Sequence, residues 1–193
     1  MKMRRWVLCP KGGTPPLALE TCRFLDLTRE KMGTVIRRLT SADALLLRSV
    51  RIRALADSPS AFGSTLSETV ERSMSTWENM LRPDGNPFFV YEIDGEVRGL
   101  AGGFVSDHDE EFHLVSMWID PIHRGRGISD ALVSHIVDWA RSRNASRLIL
   151  ECTEGNRHAE ELYFRHGFRR TGMSSTRERD GATEFEMVLD LSV

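Results

Sequence analysis

The stretch from Leu114 to Val133 constrains this chain more than any other. Leu114 to Ile119 is apolar apart from Ser116, the pattern of a buried strand. Asp120-Pro121 ends that strand, because proline cannot donate to a ladder. Arg124 to Ser129 then packs two glycines into a short turn. Leu132, Val133, Ile136, Val137 and Ala140 follow at helical spacing. A helix that opens straight after such a turn leaves its first N–H groups unpaired. Its dipole makes the point they face favourable for negative charge. Gly125 and Gly127 let the backbone approach a bulky anion, and Arg124 and Arg126 add positive charge at the rim. The turn therefore suits a phosphate or a pyrophosphate. The plain alternative is a glycine turn that only joins a strand to a helix.

The residues after the glycines narrow the choice. A nucleotide-hydrolase phosphate loop needs a lysine and a hydroxyl residue after its last glycine, and here Ile128 follows Gly127. A dinucleotide fingerprint needs a third glycine, and that position holds Asp130. What remains is Arg-x-x-Gly-x-small, at Arg124, Gly127 and Ser129.

A second block runs from Leu150 to Phe168. It ends a strand, opens a helix at Asn156, a good N-cap, and stops that helix at Gly167. Asn156 and Tyr163 are seven residues apart, two helical turns, and so share one face.

Read in order, the chain predicts a strand over Thr34 to Leu39 and a helix from a capping-box-like Thr40 and Asp43 to about Ala56. A second helix, capped by Ser64 or Thr65, carries the stripe Leu66, Val70, Met74, Trp77 and Leu81, read as core packing. Asp84-Gly85-Asn86-Pro87 is a turn. Strands follow over Phe88 to Ile93 and Val97 to Val105, with a hairpin turn at Asp94-Gly95. Gly99, Gly102 and Gly103 suggest a bulge or a ligand close to the backbone. Ser106 to His113 is acidic with two histidines and reads as a solvated turn, since nothing in it has metal-ligand spacing. Arg147 to Thr153 is a strand, Phe168 to Thr171 starts another, and Glu184 to Leu191 is the last. Hairpins flanking crossover helices imply an α/β sheet with parallel and antiparallel pairs.

Length and charge close off other classes. At 193 residues the chain is one domain, with a possible tail. Residues 1–31 carry seven basic and three acidic side chains, several prolines and glycines, and no sustained period, and are read as an extension outside the core fold. Leu19 to Leu27 is a possible short element within it, and Met32 is a candidate natural start. The apolar run Trp6 to Cys9 is too short for a secretory signal. A net charge of −2 gives no reason to expect nucleic acid or a membrane surface as partner. Cys9, Cys22 and Cys152 have no redox or metal spacing, so free thiols and a cytoplasmic location are expected. A monomer and a homodimer both stay open.

Together the two blocks resemble the GNAT N-acetyltransferases. Arg124, Gly127 and Ser129 match the acetyl-CoA pyrophosphate loop, though that family usually has Gly or Ala where Ser129 stands. Asn156, Ala159, Leu162, Tyr163, Gly167 and Phe168 match its later half, and the resemblance covers roughly Val35 to Leu191. It implies the GNAT acyl-CoA N-acyltransferase fold: a mixed, mostly antiparallel sheet, helices on both faces, and a splayed central strand pair. It implies acetyl-CoA as co-substrate, held by Met117, Trp118 and Ile119, by the loop residues Arg124, Gly125, Arg126, Gly127, Ile128, Ser129 and Asp130, and by Asn156 and Tyr163. It implies direct attack by an amine acceptor, small molecule or peptide, with no enzyme nucleophile and no metal. Tyr163 is then the acid for the leaving thiolate, Glu151 the first candidate base and Glu111 the second. Phe62 and Trp118 are candidates for the acceptor pocket, and Cys152 reads as structural. The competing reading is an acyl-CoA-binding sensor or interaction domain without catalysis.

Overall fold

The computed structural model describes residues 33–106 and 111–192. The readings of residues 1–31, of Leu19 to Leu27 and of Met32 lie outside them, as do residues 107–110 of the acidic turn. Among the described residues seven strands form one sheet: β1 (Val35–Arg38), β2 (Phe88–Ile93), β3 (Glu96–Val105), β4 (Phe112–Ile119), β5 (Arg147–Thr153), β6 (Arg169–Thr176) and β7 (Thr183–Asp190). The helices are α1 (Ala44–Asp57), α2 (Leu66–Glu71), α3 (Met74–Met80), α4 (Ile128–Ser142) and α5 (Arg157–Arg165). The sheet order is β1-β2-β3-β4-β5-β7-β6, with β7 inserted between β5 and β6. Every pair is antiparallel except β4–β5. The mixed sheet expected from the sequence is therefore the one found.

Neighbouring strand residues serve opposite layers, as the period of two requires. Phe89 and Ala101 join the α4 side, with Leu132, Val133 and Ile136 fully buried there. Phe88, Val90 and Leu100 join the α1 and α3 side, with Leu47, Val50 and Trp77. Burying three such α4 side chains supplies on the order of 5–9 kcal/mol before chain entropy is charged. The β3 glycines serve this packing, and the bulge expected beside them is present in the β3–β4 register between Leu100 and Gly102. A Cβ at Gly99 would meet Leu132 at 2.8 Å, and one at Gly103 would run into the ring of Trp139.

The single helix expected from Thr65 to Leu81 is two. Thr65 caps α2 in a capping box, its Oγ1 accepting from Glu68 N at 3.2 Å. Arg72 then turns extended, and Ser73 caps α3, accepting from Thr76 N at 3.3 Å. A serine side chain that satisfies a new first turn competes with continuing the old one. The stripe breaks accordingly: Trp77 and Leu81 are buried, while Leu66 and Val70 are exposed. Among the described residues no helix is long and apolar enough to cross a membrane.

Candidate active site

β4 and β5 are paired only at Phe112↔Leu148 and His113↔Ile149. Beyond His113 they part, which gives the splayed pair expected. A bulge in β4 contributes to the parting. Val115 pairs with Gly102 and Trp118 with Leu100, so two β4 residues, Ser116 and Met117, face one on β3. Ser116 takes φ +59, unusual for a residue with a side chain. A bulge bends its strand and shifts the alternation by one. Leu114 thus points into the α4 layer and Trp118 into the α1 layer, although four residues separate them.

The open V holds a cleft of roughly 630 Å³. Met117, Trp118 and Ile119 line one arm, Asn156, Ala159 and Leu162 the other. Gly125 and Gly127 through Asp130 close one end, while Arg126 is exposed and not part of the wall. Gly127 is the N-cap of α4, at φ +78, and no side chain caps that helix. The first backbone bond within α4 is Ala131 N to Gly127 O at 3.1 Å. The N–H groups of Ile128, Ser129 and Asp130 are the orphans of the first turn, at the cleft.

Two carboxylates adjoin this helix start, and both are answered. Asp130 accepts from Arg165 at 3.1 Å and lies 3.2 Å from His166 Nε2. Desolvation pushes its pKa up, but those two partners pull it below the usual carboxylate range. Asp57, at the end of α1, accepts from Ser58 Oγ at 2.7 Å and Trp118 Nε1 at 3.0 Å and binds the Arg124 guanidinium. Desolvation is again outweighed, and its pKa falls. Arg124 also donates to Ile119 O at 3.2 Å. The glycine turn, the strand and α1 are thereby tied together.

A smaller cavity of roughly 100 Å³ adjoins the cleft, sharing Phe62, Met117, Asn156 and Ala159 with it and adding Ser116, Glu151 and Tyr163. Tyr163 is buried beside Phe168, ring centroids 5.8 Å apart. Burial first, then Cys152, pushes its pKa up, so the hydroxyl keeps its proton at neutral pH. Cys152 is a free buried thiol, raised to about 12 chiefly by burial, which suits its structural reading. Asn156 accepts from Ala159 N at 3.3 Å, so its oxygen caps α5. Glu151 sits on β5, exposed, in the cavity wall. Glu111 is elsewhere. It flanks the closed end of the V, binds Arg147, and lines neither cavity.

Two arginines that the sequence pattern does not single out position the roof. Arg177 is 9% exposed and donates to Ser60 O at 2.8 Å and Phe62 O at 3.1 Å. Asp180 and Glu184 answer its charge, each at 2.9 Å. It clamps the loop after α1 to the β6–β7 hairpin. Arg51, on α1, donates to Ser116 Oγ at 3.0 Å and Ser64 Oγ at 2.7 Å. Its signal in the sequence is its spacing: it occupies a buried i, i+4 slot between Leu47 and Leu55.

The parted parallel strand pair thus has an uncapped glycine-turn helix at its mouth. Residues 52–168 match the acetyltransferase (GNAT) family, and the chain belongs to that family. Streptothricin acetyltransferase of Streptomyces lavendulae is 34% identical over 110 residues, covering 57% of this chain and 58% of that protein. The matched part is thus little more than half of that relative's length. Among solved structures, a ribosomal-protein-alanine N-acetyltransferase from Brucella melitensis superposes with a TM-score of 0.68 at 26% identity, covering 81% of this chain and 99% of that one. A putative acetyltransferase from Salmonella typhimurium, solved with its cofactor acetyl-CoA, shares the fold at a TM-score of 0.68 and 23% identity, covering 82% and 94%.

Proposed function

We propose that this chain binds acetyl-CoA in the V and passes the acetyl group to an amine by direct attack. The observation that carries the reading is the α4 N-terminus. Its first N–H groups are uncapped, Gly127 brings them to the cleft, and they lie in the same cleft as the parted backbone of Met117 to Ile119. Orphan amides at a helix start suit a pyrophosphate, and an unpaired strand edge suits the amides of a pantetheine arm. Acetyl-CoA would supply an activated thioester carbonyl.

The chain's own residues do the rest. Asn156 presents its NH2 group towards the arm, because its oxygen is held by the α5 cap. The acceptor nitrogen bonds to the carbonyl carbon, the C–S bond breaks, and the electron pair leaves on sulfur. Tyr163 donates its hydroxyl proton to that sulfur; no described group holds the hydroxyl, and burial keeps it protonated. Glu151 takes the proton of the attacking amine, directly or through water, and solvent restores both groups. The names of two similar proteins give streptothricin and a ribosomal-protein alanine as acceptors, which supports acetyl transfer without fixing the acceptor.

Calorimetry with acetyl-CoA and a thiol-release assay over amines and peptides test the reading. Binding with acceptor-dependent thiol release is expected. Failure to bind would overturn it. Binding without release to any acceptor would leave a sensor or interaction domain in its place.

A further inference from the structure

Of the two buried arginines among the described residues, one has no described counter-ion. Arg177 is met by two carboxylates. Arg51 is as deeply buried, at 8% exposed, and its hydrogen-bond partners are the neutral hydroxyls of Ser64 and Ser116. Its guanidinium carbon stands 5.1 Å from the centroid of the Phe62 ring. Among the described residues no carboxylate pairs with it, and the charge that bears on it is a second cation, Arg72. Arginine stays protonated under these conditions. A charge taken out of water is disfavoured unless an opposite charge answers it.

The place of that charge is informative. Ser116 and Phe62, which Arg51 touches, are both walls of the small cavity that also holds Glu151 and Tyr163. Ser116 accepts from Arg51, so its own O–H is left to donate. The bulge that opens the V is what turns Ser116 to this position. The cavity wall therefore offers both a carboxylate, Glu151, and a hydroxyl backed by a cation, Ser116 with Arg51 behind it.

We propose that Arg51 is the specificity-determining residue of the acceptor site and that the acceptor is an amine bearing a carboxylate a few bonds away, as in a free amino acid. The carboxylate takes the Ser116 hydroxyl and the charge of Arg51, and the amine faces Glu151 and the thioester. This inference rests on the acyl-transfer reading above and deepens it.

The test pairs amino acids with their carboxamides in the thiol-release assay. Arg51→Met and Arg51→Lys are compared with the unaltered protein. Acids are expected to outrun their amides in kcat/KM. Arg51→Met should lower kcat/KM for acids at least about 30-fold more than for amides, the scale of removing one partner of a buried charge pair. Differences in amine basicity between acid and amide cancel when the same pair is read in both proteins. Arg51→Lys should recover part of the difference, since it keeps the charge and loses the fork. Acetyl-CoA affinity, measured separately by calorimetry, reports whether each variant is folded and whether the underlying reading stands. Equal loss for acids and amides, turnover of carboxylate-free amines alone, or no turnover of any amino acid by protein that binds acetyl-CoA would each overturn the proposal. Absence of acetyl-CoA binding in the unaltered protein would remove both readings together.

Discussion

β4 and β5 each run into a helix at the open end of the V, and the two corners are built differently. After β4, Gly127 caps α4 with no side chain, so the first amides of the helix stay open to the cleft. After β5, Asn156 caps α5 with its own oxygen, and that helix start is closed. Arginines lie near the first corner: Arg124 lines the cleft and Arg165 binds Asp130 beside it. Carboxylates outnumber the cation at the second: after burial, Glu160, Glu154 and Glu184 push the Cys152 thiol up, while Arg170, bound to Glu160 and Glu154, pulls it down. An open helix start receives an anion. A capped one spends its dipole on itself and serves as a rigid bar that carries Tyr163 into the cavity. On the acyl-transfer reading proposed above, sequences with the same strand–turn–helix order thus build either a binding corner or a catalytic one, according to what occupies the N-cap.

Substitutions at each corner break the contrast in order of size. Tyr163→Phe acts on the catalytic corner alone. Turnover should fall about 10²-fold or more, with acetyl-CoA affinity nearly kept, because only the proton donor is lost. Steady-state kinetics beside calorimetry check this, and unchanged turnover with chemistry rate-limiting would pass the proton to water. Gly127→Asp acts on the binding corner. A Cβ there meets nothing within 4 Å, so space is not the difficulty. The left-handed backbone costs about 1 kcal/mol of stability, while the new carboxylate should weaken acetyl-CoA about tenfold or more. Calorimetry that found affinity unchanged would misplace the pyrophosphate.

Asn156→Ala uncaps the closed corner. Loss of the cap costs about 1 kcal/mol, a fall in Tm of roughly 2–4 °C, and a melting curve reads it. The least effect is expected at Cys152. With its pKa pushed up to about 12, the thiol should resist alkylation at pH 8 in the folded protein carrying Cys9→Ser and Cys22→Ser, and react once the chain is unfolded. Rapid labelling of the folded protein would show the second corner to be less hostile to negative charge than its glutamates imply.

Much of the binding corner is legible in the amino-acid order, because it is local. Gly125, Gly127 and the stripe from Leu132 to Ala140 lie within one strand–turn–helix unit, and backbone geometry over so short a span follows from residue type. The α5 corner is legible for the same reason, Asn156 marking its start and Gly167, at φ +91, its end. The break between α2 and α3 is hidden because apolar spacing runs on through Met74, while Ser73 alone marks the new cap. Glu151 and Glu111 are the first and second candidate bases in the sequence. Pairing separates their positions: the β4–β5 ladder holds at Phe112 and leaves Glu111 at the shut end of the V, while Glu151 lines the small cavity.

The amino-acid sequence by itself determined the order of strands and helices apart from the α2–α3 break, the glycine turn that opens α4, and which tyrosine stands two turns from the α5 cap. Only the tertiary structure decided where the sheet parts, that Ser116 bulges and sends Trp118 to the opposite layer from Leu114, and that Arg51 and Arg177 are both buried but unequally answered. The physical reason is range. Propensity, capping and period act over one or two turns of chain, whereas the Arg51–Ser116 hydrogen bond joins residues 65 apart and the Arg177–Ser60 hydrogen bond residues 117 apart. Contacts of that span exist only once the sheet has assembled around them.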